Sequence, residues 1–185
     1  LIRAPQYKDA RLRVSDLRRS QDVEGLFAEA EADYAEGRYV DSLSKFEQLQ
    51  ALDINYQAST VKDRLFALYM QLGRAAIEHD PPLAELVPQA ADYFTRALSL
   101  RPRDTDAALE QRLTGLFTEG YTRYQQGYWN DAITSLRAVY DVRPGYMGGM
   151  VLTALYDAYI RSGDEYRKQG DLGFDGGVVP QPANE

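Results

Sequence analysis

The chain of 185 residues repeats one pattern, and this repetition constrains its fold more than any other feature of the sequence. A small residue recurs among apolar side chains at intervals of 43, 47 and 43 residues, at Ala30, Gly73, Gly120 and Gly163. The copy over residues 116–144 is the most complete, because two amphipathic stretches there flank a turn at Gly127. A period of about 20–50 residues is typical of proteins built from stacked supersecondary units. The sequence therefore predicts a series of helix–turn–helix units.

Apolar residues at helical spacing predict the individual helices, and glycines, prolines and capping residues predict where they end. The predicted helices cover residues 7–19, 23–36, 39–52, 55–79, 89–100, 105–126, 129–142 and 146–169. We expect a break at Ser20–Asp22, because serine and aspartate are preferred at helix N-caps. The predicted organisation is a basic N-terminal helix that ends a preceding repeat (1–22), a repeat domain (23–172), and a flexible tail rich in glycine and proline (173–185).

Charge and composition exclude several classes of function. The first twenty residues hold six basic and two acidic side chains, a net charge of +4, which leaves −11 on the remainder of a chain whose net charge is −7. This balance argues against a nucleic-acid partner, because phosphate binding is driven by clustered lysine and arginine. No apolar run approaches the roughly 18–20 residues that span a bilayer, so no membrane insertion is expected.

The absence of cysteine excludes disulfides and thiolate chemistry but leaves the cellular compartment open. Because the chain begins at Leu1 rather than methionine, we expect it to be part of a longer protein. His79, the single histidine, lies in a proline-rich loop with no nucleophile motif, so it predicts neither a catalytic triad nor a metal site. The glycine-rich runs at 145–149 and 173–177 lack the lysine and hydroxyl residues of a phosphate-binding loop. No enzymatic activity, cofactor or metal is expected.

The repeats resemble the tetratricopeptide family, whose helix–turn–helix signature places small, aromatic and proline residues at set positions. The copy over 116–144 matches that signature in spacing at Leu116, Glu119, Gly120, Arg123, Gly127, Trp129, Ala132, Leu136, Val139 and Pro144. The resemblance covers residues 23–172, although the units here are 43–47 residues long and those of the family about 34. It implies an all-α fold, a right-handed α–α superhelix (solenoid) of about seven helices in 3.5 repeats, with Trp129 in the core.

The resemblance also implies a function, because the first helices of such repeats line a concave groove that holds extended peptides or partner helices. The corresponding positions in this chain are Phe27, Tyr34, Met70, Arg74, Phe117, Tyr121, Tyr124, Ile160, Asp164 and Arg167. Tyrosine and arginine are among the side chains that dominate interface energetics. Phe117 and Ile160 are equally compatible with a place in the core, and Arg74 and Arg167 with ordinary surface charge.

These observations predict a non-catalytic module that binds a protein or a peptide. The alternative is a structural or regulatory segment of a larger multidomain protein. In that case the segment could also self-associate as a homodimer, because the exposed ends of repeat arrays bury apolar surface poorly without caps.

Overall fold

The structure, a computed structural model, describes residues 6–173 of the chain. Within that range it holds seven α-helices and no β-strand, so the predicted all-α fold class is confirmed. The helices are α1 (Gln6–Ala35), α2 (Tyr39–Leu52), α3 (Ala58–Ile77), α4 (Val87–Leu100), α5 (Thr105–Gln125), α6 (Trp129–Val142) and α7 (Met150–Gly173). Two short 3₁₀ helices, Ala84–Leu86 and Tyr146–Gly149, precede α4 and α7.

The turns after α1 and α5 have the same geometry, as the repeat in the sequence predicts. Gly37 and Gly127 adopt φ values of +76° and +80°, in the left-handed region that glycine enters without a steric penalty. The glycine N–H bonds the carbonyl three residues earlier, at 3.2 Å for Gly37 and 3.1 Å for Gly127. The next N–H, of Arg38 or Tyr128, bonds the carbonyl five residues earlier, at 2.9 Å in both turns. This pair of bonds is the Schellman motif, which ends a helix and satisfies its last carbonyls.

The predicted helix break at Ser20–Asp22 is wrong, because α1 continues without interruption from Gln6 to Ala35. Serine and aspartate stabilise a helix start only where the chain leaves helical geometry, and here both are exposed to solvent within the helix. Beyond them, the burial of Val23 and Ala30 holds the same helix in place. The flexible tail predicted for 173–185 lies, apart from Gly173, outside the described residues, as does the start of the chain at 1–5.

The described residues form two compact units, the first comprising 6–76 with 86–111 and the second 77–85 with 112–173. Helix α5 runs from the first unit into the second. In the first unit, Phe94 of α4 fills the space above Gly73 of α3, where an added Cβ would lie 2.6 Å from the phenylalanine ring. Phe46 and Leu49 of α2 are also fully buried, and Ser42 Oγ donates a 2.9 Å hydrogen bond to the carbonyl of Ala30. Neighbouring helices therefore pack through large side chains on one helix and small residues on the other.

In the second unit, Leu136 of α6 covers Gly120 of α5, where an added Cβ would lie 2.8 Å from the leucine Cγ. Trp129 is half-buried rather than in the core, because it stands at the first position of α6 and lies against α7. Its Nε1–H donates to Glu165 Oε1 at 2.8 Å, and the Arg161 guanidinium carbon lies 5.2 Å from its ring centroid. No helix within the described range is long and apolar enough to cross a membrane.

Candidate functional site

An aromatic series runs along α5 and into α6 in the second unit. Phe117, Tyr121 and Tyr124 are spaced at i, i+4 and i+7, which places them on one face of the helix. Their ring centroids are separated by 5.4 Å and 5.9 Å in stacked geometry, and Trp129 follows edge-on, 5.8 Å from Tyr124. Phe117 is buried and packs 5.8 Å from Tyr146, whereas both tyrosines remain half-exposed. The buried ring of Phe117 thus supports the partly exposed rings of Tyr121 and Tyr124.

These two tyrosines form one side of a cleft of about 280 Å³. The opposite side comes from the 3₁₀ turn and the first turns of α7, and Pro82 contributes from the segment before α4. The lining residues are Pro82, Tyr121, Tyr124, Gly148, Gly149, Met150, Thr153 and Ala154. The lining is mainly apolar, with the tyrosine and threonine hydroxyls as its side-chain polar groups.

The 3₁₀ turn that lines the cleft approaches Pro82 closely at Gly148. Its φ of +58° lies in the left-handed region, and a Cβ added there would lie 3.1 Å from Pro82 Cγ. Met147, the preceding residue, also has a positive φ of 52°, so the chain makes a tight reversal before α7 begins. The buried Tyr146 hydroxyl, 2.9 Å from Thr114 Oγ1, fixes this reversal against α5.

A hydrogen-bond network fixes the ring of Tyr124. Its hydroxyl donates to Asp157 Oδ2 on α7 at 2.8 Å, and Arg161 Nε donates to the same oxygen at 2.6 Å. The bond to the Asp157 carboxylate, with partial burial, raises the pKa of the Tyr124 phenol. The bonds from Arg161 and Tyr124 lower the pKa of Asp157. The tyrosine therefore stays neutral and the aspartate ionised across the physiological range.

Four of the predicted binding residues lie in the first unit, where Phe27, Tyr34 and Arg74 have partners within the chain and Met70 is buried. The ring of Phe27 packs 5.9 Å from Phe46 and 5.7 Å from Tyr56, and Tyr34 lies beneath the Arg64 guanidinium at 4.5 Å. Met70 is only 7% exposed, so little of its side chain is accessible to a ligand. Arg74 is exposed, with its Nε 3.5 Å from Glu110 Oε1 and its Nη2 3.7 Å from Asp106 Oδ2.

The other predicted residues lie in the second unit, and three of them form the aromatic series. Tyr121 and Tyr124 line the cleft, whereas Phe117 is 1% exposed and lies in the core, stacked against Tyr121. Asp164 and Arg167 pair with each other across one turn of α7 at 2.7 Å, outside the cleft lining. Ile160 is exposed on α7.

Sequence reasoning did not identify Pro82, Met150, Thr153 or Asp157 as parts of this site. The Asp157–Arg161 pair at i, i+4 on a helix was a usable signal, because such pairs are adjacent on the helix surface. Pro82 and Met150 carried no signal, since segments far apart in sequence bring them together. His79 is exposed, with Nδ1 2.8 Å from the carbonyl oxygen of Pro81.

A larger open depression of about 510 Å³ lies at the turn between α4 and α5 in the first unit. Arg101 in its lining is held by Asp63 Oδ1 at 2.7 Å and lies 4.1 Å above the ring of Phe66. Because this arginine is engaged within the chain, the tyrosine-lined cleft is the stronger candidate. Among the described residues, no group of three or more histidine or acidic side chains is arranged to hold a metal ion.

The chain matches no family model, no curated protein and no solved structure.

Proposed function

We propose that this protein is a non-catalytic helical-repeat module of tetratricopeptide type that binds an extended peptide segment of a partner protein. In this proposal the helices stack as a right-handed superhelix, and the peptide lies in the tyrosine-lined cleft of the second unit. The observation that carries the proposal is the pair of half-exposed tyrosines, Tyr121 and Tyr124, on one side of an apolar cleft of about 280 Å³.

The size and lining of the cleft favour a peptide over a cofactor. Small-molecule sites commonly enclose about 300–1,000 Å³ and bury about 70–90% of the surface of a drug-sized ligand. A cleft of about 280 Å³ lined by tyrosine, proline, glycine and methionine instead suits a few side chains of an extended segment. Aromatic-lined grooves also recognise proline-containing segments, because such peptides are already extended and lose little entropy on binding.

Preorganisation of the tyrosines supports binding. A tyrosine has few rotatable bonds, so it offers a large contact area at a low entropic cost. The Tyr124 hydroxyl is already bonded to Asp157 at 2.8 Å, and the Tyr121 ring is stacked between Phe117 and Tyr124. A ligand therefore meets rings whose positions are set before it arrives. The net charge of −7 favours partners that are not strongly acidic.

The test is selection of binding sequences from a library of random twelve-residue peptides displayed on phage, followed by titration of the selected peptides. We expect Tyr121→Ala and Tyr124→Ala each to weaken the selected peptides by about ten- to a hundredfold, as interface tyrosines do. Tyr128→Ala is the matched control, because Tyr128 is an exposed tyrosine outside the cleft lining.

Either of two results would contradict the proposal. One is the failure of the wild-type protein to enrich any peptide. The other is equal binding by the wild-type protein and both cleft variants, with circular dichroism showing that the variants are folded. Catalytic chemistry is no part of the proposal, so no turnover of the peptides is expected.

A further inference from the structure

The first helix of each repeat carries the same four positions at its contact with the second helix. Counted from the small residue, these pairing positions lie seven, four and three residues before it and at the residue itself. They are Val23, Leu26, Phe27 and Ala30 in α1; Phe66, Tyr69, Met70 and Gly73 in α3; Leu113, Leu116, Phe117 and Gly120 in α5; and Tyr156, Tyr159, Ile160 and Gly163 in α7. All twelve positions of α1, α3 and α5 are buried or half-buried, whereas all four of α7 are exposed.

In the first three repeats, a helix of fourteen residues covers the pairing positions. Phe94 of α4 lies over Gly73, Leu136 of α6 lies over Gly120, and Phe46 of α2 packs 5.9 Å from Phe27. Two of the covering helices thus place a large apolar side chain directly over the small residue, and in the first repeat Phe46 packs against Phe27, three residues before Ala30. The structure therefore contains three examples of the helix that fits this surface.

Helix α7 presents the same surface without a cover in the described residues. Tyr156 is 67% exposed, Tyr159 45% and Ile160 47%. A Cβ added at Gly163 would meet no atom within 4 Å, in contrast to Gly73 and Gly120. Leu152 and Tyr166, also exposed, extend the stripe to fifteen residues, or about 22 Å of helix.

The exposed stripe is continuous with the packing of α6 against α7. The Tyr159 hydroxyl accepts a hydrogen bond from Arg137 Nη1, and the Tyr166 hydroxyl accepts one from Asn130 Nδ2, each at 3.2 Å. Both bonds hold the hydroxyl ends of side chains that remain 45% (Tyr159) and 63% (Tyr166) exposed. A helix laid on the stripe would therefore extend an existing helix–helix contact.

We propose that α7 binds an amphipathic helix of about fourteen residues from a partner protein, with a phenylalanine or leucine seated over Gly163. Helices α2 and α6 begin nine residues after the small residue of their repeat, so the equivalent helix here would begin at residue 172, where α7 itself continues to Gly173. The sequence at that place also contains Pro180 and Pro182, and proline interrupts helices. We therefore assign the covering helix to a partner protein. This proposal is independent of the cleft, because none of the pairing positions of α7 lines it.

The test uses a synthetic peptide of residues 128–143 of this chain, acetylated and amidated, which reproduces the covering helix α6. We expect calorimetric titration to detect binding, and NMR amide shifts to map it to α7. Gly163→Phe should weaken binding by at least about tenfold, because the added ring occupies the seat of the partner side chain. The variant should fold, since the space around Gly163 is open.

The matched control is Gly115→Phe, because Gly115 is also an exposed helical glycine with no atom near its added Cβ. It should bind the peptide as the wild type does. A control peptide carrying Leu136→Asp should not bind.

Three results would overturn the proposal: no binding at peptide concentrations near 1 mM, shifts confined to α5, or equal affinity for Gly163→Phe. Sedimentation equilibrium tests a second copy of this chain as the occupant. A wild-type dimer that Gly163→Phe dissociates would replace the partner helix with that second copy.

Discussion

Gly120 and Gly163 hold the same position in their repeats but have different surroundings. At Gly120 an added Cβ would lie 2.8 Å from Leu136 Cγ and 3.0 Å from the Leu136 backbone nitrogen, so the α5–α6 contact would have to open. At Gly163 nothing lies within 4 Å. One residue type therefore serves close packing at the first site and leaves an open surface at the second.

Alanine substitution should separate these two roles. We expect Gly120→Ala to lower the free energy of unfolding by about 1–2 kcal/mol, because overpacking outweighs the better helix propensity of alanine. We expect Gly163→Ala to raise it by about 0.5–1 kcal/mol, because only the helix propensity changes there. Urea denaturation measures both values, and changes of the same sign in the two variants would contradict this account.

The carboxylate of Asp157 on α7 accepts a hydrogen bond from the Tyr124 hydroxyl, and its pKa can be measured directly. Its pKa is lowered from 3.8, first by the bond from Arg161 and then by the bond from Tyr124. Its contribution to stability is therefore present above pH 3.8 and lost as the pH falls through the lower folded value.

We expect Arg161→Gln to raise the pKa of Asp157 toward 3.8, because the substitution removes the charged donor that lowers this pKa the most. Carbon-detected NMR titration of the carboxyl group gives this pKa. Arg167→Gln is the control, since Arg167 pairs with Asp164 and not with Asp157. A pKa of Asp157 that stays the same in both variants would show that Arg161 does not set it.

At the scale of helices, the ends after α1 and α5 could be predicted from sequence, because they depend on local backbone geometry. Gly37 and Gly127 end helices since glycine enters the left-handed region freely. The continuation of α1 through Ser20–Asp22 could not be predicted in this way. Serine and aspartate also fit within a helix, and the buried residues that hold α1 in place lie further along it. The cleft was half predictable: Tyr121 and Tyr124 followed from the repeat, but Pro82 and Met150 depend on contacts between distant segments.

Tyr69 connects three helices of the first unit. Its hydroxyl on α3 donates to Glu47 Oε1 of α2 at 2.8 Å, and Arg96 of α4 donates to the same oxygen at 3.0 Å. Burial, and then the bond to Glu47, raise the pKa of Tyr69 from 10.0 to about 12. The folded state therefore holds this proton more tightly than the unfolded state. The resulting stability is complete below pH 10 and is lost as the pH rises toward 12.

Alkaline titration of stability should reveal this contribution. Between pH 9 and pH 11 the Tyr69 phenol should account for a loss on the order of 1 kcal/mol in the free energy of unfolding. Tyr69→Phe lacks the ionisable group, so its unfolding free energy should fall by about that much less over the same range. Parallel pH profiles for the wild type and Tyr69→Phe would exclude a raised pKa at this site.

At the scale of the whole molecule, the two compact units share α5, which passes from the first to the second between Gln111 and Arg112. Each unit buries its own apolar side chains: Phe46, Leu65 and Phe94 in the first, and Leu136, Val139 and Val151 in the second. In repeat proteins, stability is approximately a sum of the units and of the contacts between neighbours. We therefore expect that loss of stability in one unit also destabilises the other through α5, the continuous helix that belongs to both.

Proline at Arg112 tests this sharing, because the Arg112 side chain is exposed and the substitution acts through the backbone. We expect Arg112→Pro to lower the free energy of unfolding by about 3 kcal/mol or more, since proline removes a helical hydrogen bond and clashes with the preceding turn. Thr105→Pro, at the first position of the same helix, should be nearly neutral. Hydrogen exchange should then show lost protection in α3 and in α6 alike for Arg112→Pro. Loss confined to one of these helices would mean that the two units are stable independently.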